Sequence, residues 1–245
     1  MTLLLVENLS KSFGGVRAVD GLSFTVRPGS ITGLIGPNGA GKTTAFNLIT
    51  HFVPAESGQI LYQGEDLRRV PAHRIVRKGI ARTFQQIRLF RNLTVRENLL
   101  LACSHTYDGW WSSFSPVDED LHLERLTALL EEVGLQDYLD HSAAELSYGQ
   151  SKLVEILRCV LQDADLILLD EPAAGVNPTL LRTVERLIRR LNRDGKTLLI
   201  IEHHMPFLMR IADEVVVMEN GRFLMQDTPE KVQTDPRVLE AYLGA

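Results

Sequence analysis

The stretch that most constrains this chain is residues 31–50, where an apolar run leads through a glycine-rich turn into a helix-compatible segment. The turn and the two residues after it read GPNGAGKT, from Gly36 to Thr43. The spacing of Gly36, Gly41 and Lys42 is that of a P-loop, in which backbone N–H groups and a helix N-terminus converge on a polyphosphate. The sequence therefore predicts a strand, a phosphate-binding loop and a helix.

Each residue type in this loop has a chemical reason. Glycine permits backbone angles and a close approach that a Cβ would forbid. Lys42 is expected to reach the β- and γ-phosphates, and Thr43 to offer its hydroxyl to Mg²⁺. The residues that we predict to hold the nucleotide are Gly36, Pro37, Asn38, Gly39, Ala40, Gly41, Lys42, Thr43 and Thr44.

The composition limits the class of protein. A chain of 245 residues with 44% hydrophobic content suits a globular core of one large domain or two small ones. Its longest apolar runs, such as 198–201, are far shorter than the roughly eighteen residues that span a bilayer. The start MTLLLVENLSKSF lacks the features of a secretory signal, so we expect a cytosolic protein. Cys103 and Cys159 lie far apart without metal-ligand spacing, which fits reduced thiols.

Positive charge is concentrated in one segment. The net charge is −5, yet residues 68–91 carry eight Lys and Arg and no acid. Three interpretations are open: a solvated helix face, a surface that meets a protein or lipid partner, and a nucleic-acid patch. Aromatic residues within the segment are limited to Phe84 and Phe90, which disfavours the nucleic-acid interpretation.

Carboxylates follow a second apolar run. Residues 165–170 read DLILLD, typical of a buried parallel strand, and end at Asp170 and Glu171. An aspartate at the end of a buried strand beside a P-loop is where Mg²⁺ is held, and Glu171 is placed to orient or deprotonate a water. Thr197 to Ile201 predicts another buried strand, and His203 follows its carboxyl end.

Two further segments carry polar groups. Residues 80–90 predict a strand that becomes a loop at Gln85, whose amide can ligate Mg²⁺, although a glutamine pair is also common on surfaces. Ser147 and Gly149 stand just ahead of a predicted long helix, which would make a second anion site. That site can meet the P-loop only if another subunit brings it there.

The start of the chain predicts an antiparallel hairpin region. Leu3 to Glu7 and Leu22 to Val26 read as strands, with a turn at 10–15. Phe13 either packs in this turn or stacks on a purine base. Farther along, residues 104–120 hold both tryptophans, and they predict either aromatics folded back onto helices or a contact with a partner or membrane.

Taken in order, these motifs make the chain resemble the nucleotide-binding subunits of ABC transporters over essentially its whole length. The matching elements are GPNGAGKT at 36–43, Gln85 as the Q-loop, LSYGQ at 146–150 as the signature, LILLDE at 166–171 as the second Walker motif, AAGVN at 173–177 as the D-loop and His203 as the switch histidine. The strings ARTFQQIRLF, LLDEPAAGVNP, IIEHHM and DPRVLEAYLG resemble the branched-chain amino acid, LivG-like group.

The chain departs from the family pattern at three positions. Tyr148 stands where the signature commonly has glycine, and Asn177 where the D-loop usually has aspartate. His204 stands where this group more often has an acid, so that two histidines follow Glu202. We assign the switch role to His203 from its position after the strand.

The resemblance implies one ABC ATP-binding domain over residues 1–245, in the α/β class. It implies a RecA-like parallel-sheet core around the P-loop and an antiparallel β subdomain from residues 1–30 and 58–66. It also implies a helical subdomain at about 91–160 and C-terminal helices at about 229–243.

The resemblance also implies a mechanism in which two subunits sandwich two ATP molecules. Each ATP would lie between one P-loop and Ser147, Gly149 and Gln150 of the other subunit. The roles implied for the remaining residues are Mg²⁺ binding by Thr43, Gln85 and Asp170, general base by Glu171, γ-phosphate contact by His203 and Lys42, and adenine stacking by Phe13.

The function so implied is ATP hydrolysis that energises an importer for branched-chain or related amino acids. The expected partners are membrane permeases, a second ATP-binding subunit and, indirectly, a solute receptor, at the cytoplasmic face of a bacterial or archaeal plasma membrane. A urea or amide importer and a lipopolysaccharide or lipid exporter remain as alternatives. A soluble ABC protein acting on nucleic acid or ribosomes would carry tandem cassettes, a coiled-coil insertion or an added basic domain, none of which is in this sequence.

Overall fold

The structure, a computed structural model, describes residues 2–103 and 119–243. Its strands are β1 Leu4–Phe13, β2 Val16–Val26, β3 Ile31–Ile35, β4 Ser57–Tyr62, β5 Glu65–Asp66, β6 Ile80–Arg82, β7 Leu166–Asp170, β8 Thr197–Ile201, β9 Glu214–Glu219 and β10 Arg222–Asp227. Its helices are α1 Lys42–Ile49, α2 Ala72–Ile75, α3 Val95–Cys103, α4 Glu119–Glu132, α5 Tyr148–Leu161, α6 Pro178–Arg193, α7 Met205–Ile211, α8 Pro229–Thr234 and α9 Pro236–Leu243.

A six-stranded sheet in the order β10-β9-β3-β8-β7-β6 forms the centre of the molecule. All neighbouring strands except β10 and β9 are parallel. The residues of β3, β7 and β8 are all buried, as continuous apolar strands covered on both faces should be. Ile201 of β8 is in register with both Leu34 and Asp170. The carboxyl ends of these three strands therefore meet at one edge of the sheet.

The two faces of this sheet belong to two cores. Alternate residues of β7 divide between them: Ile167 and Leu169 pack with the helical side, and Leu166 and Leu168 with α1 and the antiparallel sheet. This alternation follows from the two-residue period of a strand. The run LILL between Asp165 and Asp170 is thus apolar because each face of the strand packs against its own core.

A second sheet, antiparallel and ordered β2-β1-β4-β5, covers α1. The predicted end of the first strand at Glu7 is wrong, because β1 continues to Phe13. Register shifts between Val6 and Leu9, and again up to Ser12, accommodate the polar interruption as bulges. After β4 the chain turns at Gln63 and Gly64, and Glu65 begins β5.

Helices α3, α4 and α5 occupy the region predicted to be helical. A capping box stands at the start of α3: Thr94 Oγ1 accepts the Glu97 N–H at 3.1 Å, and Glu97 Oε2 accepts the Thr94 N–H at 2.7 Å. The proposed boundaries of a helical subdomain, 91–160, remain a prediction. The interpretation of residues 104–120 falls almost entirely outside the described residues. Within the described ranges, no helix is both long and apolar enough to cross a membrane.

Candidate nucleotide-binding and catalytic site

The P-loop connects β3 to α1, and packing restricts two of its positions to glycine. A Cβ on Gly36 would lie 2.1 Å from the carbonyl oxygen of Met218 in β9. A Cβ on Gly41 would lie 2.2 Å from the carbonyl oxygen of Ala18 in β2, and Gly41 also has a φ of +93°. No real Cβ contact is that short, so the loop keeps its path only with glycine at both positions.

The N-terminus of α1 has no side chain capping it, because its N-cap residue is Gly41. Its first N–H groups therefore remain available to an anion. Lys42 is buried, and its Nζ donates to the carbonyl oxygens of Gly36 at 2.8 Å and Pro37 at 2.9 Å. Burial lowers the pKa of Lys42, while the charges of Glu171 and Asp170 raise it. Thr43, the next residue, is exposed.

Asp170 ends β7 with one carboxylate oxygen engaged and the other not. Its Oδ2 lies 3.4 Å from Arg82 Nη2, whereas Oδ1 is buried and has no hydrogen-bond partner among the described residues. Burial raises the pKa of Asp170, and the charge of Arg82 lowers it. The Asp170 N–H donates to Thr83 Oγ1 at 3.0 Å, which fixes the backbone at the end of the strand.

These groups suit Mg²⁺. A buried carboxylate oxygen without a partner is a ready ligand for a hard cation, which prefers oxygen donors. The described residues include no cluster of three or more His, Cys, Asp or Glu side chains that could hold a metal. A site with one carboxylate, a threonine hydroxyl and substrate phosphates matches the way Mg²⁺ is usually bound with nucleotides.

Glu171 lies between two of the other predicted site residues. Its Oε1 is 3.2 Å from His203 Nε2, and its Oε2 is 3.5 Å from Gln85 Nε2. Its backbone has a φ of +51°, and its N–H donates to the Ile201 carbonyl at 2.9 Å. The carboxyl ends of the neighbouring strands β7 and β8 therefore place Glu171 and His203 in contact.

The structure assigns different contacts to the two adjacent histidines. His203 faces Glu171, whereas His204 is the N-cap of α7 and its Nδ1 accepts the Phe207 N–H at 3.1 Å. A ring nitrogen that accepts a backbone N–H is not free for a phosphate. This geometry supports the choice of His203 for the switch role.

Glu202, for which the sequence patterns predicted no role, holds two loops of the site. Its Oε1 accepts the Ala173 N–H at 2.6 Å. Its Oε2 accepts the N–H groups of His203 at 3.0 Å and His204 at 3.1 Å. The side chain is buried, which raises its pKa, while these three backbone bonds lower it. In the sequence, the only sign of this role is the position of Glu202 between a predicted buried strand and two histidines.

The predicted signature residues form a separate feature at the start of α5. Ser147 is the N-cap: its Oγ accepts the Gln150 N–H at 3.4 Å, and Gln150 Oε1 accepts the Ser147 N–H at 2.9 Å. The sequence predicted Gly149 ahead of the helix, but Gly149 lies inside the first turn of α5. Within the described ranges, no hydrogen bond or ion pair joins these residues to the P-loop.

Phe13, at the end of β1, is 47% exposed, with Lys11 Nζ 5.5 Å from its ring centre. The ring is therefore available for stacking, and its adenine role remains a prediction.

The C-terminal helix reaches the P-loop. A pocket of about 990 Å³ is lined by Pro37, Asn38 and His203 on one side and by Arg237 and Tyr242 of α9 on the other. The end of the chain thus contributes to the surroundings of the candidate site.

Comparison with known proteins identifies the family. The family model for ABC transporters matches residues 19–174, more than half of the chain, including the P-loop, Asp170 at the end of β7 and Glu171 after it. The chain belongs to the ABC transporter family. It is an ATP-binding cassette, the subunit type that hydrolyses ATP in these transporters. A second model, described as branched-chain amino acid ATP-binding cassette transporter, matches residues 224–245 of this cassette.

Curated relatives align with the cassette from end to end. The high-affinity branched-chain amino acid transport ATP-binding protein BraF of Pseudomonas aeruginosa is 40% identical, covering 99% of this chain and 98% of the relative. LivG of Escherichia coli, with the same description, is also 40% identical, with 99% and 98% covered. A probable LivG of Archaeoglobus fulgidus is 38% identical, with 100% and 96% covered. The predicted resemblance to the LivG-like group is confirmed.

Solved structures confirm the fold. A nucleotide-free ATP-binding cassette from an ABC transporter matches with a TM-score of 0.87 and 35% identity, covering 100% of both chains. The ADP conformation of an ATP-binding cassette of an ABC transporter gives the same three values. The predicted α/β architecture of an ABC nucleotide-binding domain is therefore correct, and a neighbour of this fold binds nucleotide.

Proposed function

We propose that this cassette is the ATP-hydrolysing subunit of an importer for branched-chain amino acids. The match of residues 224–245 to the branched-chain cassette model carries the cargo assignment. Two relatives named for the same transport, each 40% identical over nearly their full length, support it. We place the protein at the cytoplasmic face of the plasma membrane, bound to permeases.

The P-loop binds the triphosphate in this proposal. The uncapped N–H groups of α1 and the ammonium of Lys42 face the β- and γ-phosphates. Thr43, Asp170 Oδ1 and Gln85 are the side-chain ligands that would hold Mg²⁺, which supplies positive charge to the phosphate oxygens. Phe13 stacks on the adenine.

Glu171 takes the proton of the attacking water. Its carboxylate is fixed by His203 on one oxygen, so that the other oxygen is directed toward Gln85 and the loop. His203 remains 40% exposed and contacts the γ-phosphate from the same edge. This arrangement of base, orienting group and cation is that of phosphoryl transfer to water.

A second subunit completes the site. Ser147, Gly149 and Gln150 lie at a helix N-terminus that makes no polar contact with the chain's own P-loop within the described ranges. We infer that they meet the ATP of the partner cassette, which is a second, different ATP-binding subunit or another copy of this chain.

The basic segment 68–91 supplies the permease surface. A pocket of about 600 Å³ is lined by Phe84 and Arg88, which lie near Gln85 in the chain, and also by Phe52 and Arg158 from outside the segment. Arg88 lies over the Phe84 ring with its guanidinium carbon 3.7 Å from the ring centre. The pocket thus offers apolar and cationic groups together, which suits a polar-ended helix of a membrane subunit better than a nucleic acid.

The test combines isolation with transport. The chain is tagged in its host, membranes are gently solubilised, and copurifying proteins are identified by mass spectrometry. Two multi-span permeases and a second ATPase are expected. Leucine, isoleucine and valine uptake should fall when the gene is deleted and return with the wild-type chain but not with Glu171→Gln.

Other results would point to the alternatives. Recovery of permeases with unchanged uptake of all three amino acids would refute the cargo and leave the urea, amide or lipid transporters. Recovery of ribosomal or DNA-bound proteins without a membrane partner would refute transport altogether.

A further inference from the structure

Arg82, the last residue of β6, has no role in the mechanism above although it is almost completely buried. Its side chain is 5% exposed. Its guanidinium carbon lies near the centres of three aromatic rings, at 5.4 Å from Phe46, 5.8 Å from Phe52 and 4.9 Å from Phe84. These rings replace water around the cation and restrict where the guanidinium can lie.

The guanidinium joins two elements that carry predicted Mg²⁺ ligands. Its Nη1 donates to Asn47 Oδ1 and to Thr50 Oγ1, both at 2.9 Å. Asn47 lies in α1, the helix that begins with the P-loop threonines, and Thr50 is its C-cap. The other terminal nitrogen of Arg82, Nη2, faces Oδ2 of Asp170 at 3.4 Å, at the end of β7. One planar group therefore sets the position of Asp170 relative to the helix that carries Thr43.

The two oxygens of Asp170 differ because of this contact. Oδ2 is directed to Arg82, while Oδ1 is buried without a partner among the described residues. A carboxylate held at one oxygen presents the other in a fixed direction. Hydrogen bonds made to a metal-ligating side chain orient that ligand and often decide metal affinity.

We propose that Arg82 is the positioning residue of the Mg²⁺ site: it holds Asp170 through Oδ2 and ties it to α1, so that Oδ1 faces the ion beside Thr43. This inference rests on the proposed ATP and Mg²⁺ site. A buried pair that served stability alone would have no effect on the metal once the fold is intact. If Arg82 acted on the site only by repelling Mg²⁺, it would weaken metal binding. Removal of its charge would then tighten metal binding.

The test measures metal affinity directly, with the full-length chain. Mn²⁺ is titrated into protein and ATP, and free and bound Mn²⁺ are separated by electron paramagnetic resonance. Arg82→Gln removes the positive charge and most of the N–H donors of the guanidinium. Arg82→Lys keeps the charge, but its single ammonium cannot reach Asn47, Thr50 and Asp170 together. ATP affinity in EDTA and the melting temperature are recorded for each variant.

Arg96→Gln is the matched control, because Arg96 in α3 also forms a charged pair, with Asp140 at 2.7 Å, but contacts none of the site residues named above. We expect Arg82→Gln to weaken Mn²⁺ binding in the presence of ATP by about 10–100-fold, the range found when a residue that hydrogen-bonds to a metal ligand is substituted. Arg82→Lys should fall between this variant and the wild type. ATP binding in EDTA should stay within about twofold, and Arg96→Gln should bind Mn²⁺ as the wild type does.

Unchanged or tighter Mn²⁺ binding in the folded Arg82 variants would overturn the proposal. If Arg82→Gln does not fold, Arg82→Lys decides by the same criterion. Failure of the wild-type protein to bind Mn²⁺ with ATP, while ATP binds in EDTA, would instead refute the metal assignment on which the inference rests. The two failures are thus distinguishable.

Discussion

The P-loop edge, where β3, β7 and β8 end, and the start of α5 both carry predicted nucleotide-binding residues, yet they are built in opposite ways. At the P-loop edge, polar groups bond across elements: Glu171 to His203, and Glu202 to Ala173. At the start of α5, Ser147 and Gln150 bond to each other. The first region is held by tertiary structure, and the second by its own helix cap.

This difference indicates which region can act alone. The P-loop edge brings the proposed base Glu171, the proposed orienting residue His203 and the proposed cation ligand Asp170 together within one chain, so single-chain ATP binding is expected of it. The start of α5 is a stable helix N-terminus that can be presented to a neighbour without rearranging the rest of the fold. Substitutions in the two regions should therefore affect different measurements.

The largest expected effect is that of Glu171→Gln. Loss of the proposed general base should slow ATP hydrolysis by about 10²–10⁴-fold, with ATP binding retained because the P-loop is untouched. Phosphate release and nucleotide affinity are measured for the same protein samples. Glu185→Gln, which removes a carboxylate from α6 outside the site, is the control. Undiminished turnover would remove Glu171 from this role.

The next effect separates the two histidines at the P-loop edge. His203→Ala should lower hydrolysis by about 10²–10³-fold, a typical loss for one donor at a developing charge. His204→Ala removes a helix cap and should cost about 1 kcal/mol of unfolding free energy with little change in turnover. Turnover and denaturant midpoints are compared in both variants. The reverse pattern would assign the switch role to His204.

Glu202→Gln tests whether the P-loop edge depends on one buried carboxylate. A glutamine has only one acceptor oxygen for three N–H groups, so the free energy of unfolding should fall by about 1–3 kcal/mol. Because the folded-state pKa of Glu202 is raised, the folded protein holds the proton more readily, and this group's stabilisation falls as pH rises from its unfolded pKa through its folded pKa.

Urea titrations at several pH values check this expectation. The pH-dependent decline above about pH 4.5 should be smaller in Glu202→Gln than in the wild type. A variant as stable as the wild type, with the same pH profile, would show that the three bonds contribute little.

The smallest effect on stability is expected at the start of α5. Ser147→Ala should cost about 1 kcal/mol of unfolding free energy and leave ATP binding by the single chain unchanged. Ser142→Ala is the control, since Ser142 also caps a helical turn through a capping box with Glu145. Only Ser147→Ala should reduce ATPase activity of the assembled transporter. Equal activity in both variants would contradict a nucleotide contact in a second subunit.

Much of this protein follows from local sequence patterns. The P-loop glycines and the buried strand within DLILLD are each specified within a few residues, and their elements formed as predicted. The end of β1 was not predicted correctly. Bulges that depend on pairing with β2 extend the strand past Glu7 to Phe13.

The sequence by itself determined the class of fold and the residues after each buried strand, since apolar periodicity and glycine geometry are local properties. Only the tertiary structure showed that Arg82 joins α1 to Asp170 and that Glu202 joins two loops, because these contacts connect residues 29 to 88 positions apart. No local pattern distinguishes a buried arginine in a basic segment from a solvated one. Its acceptors come together only when the strands and α1 pack around it.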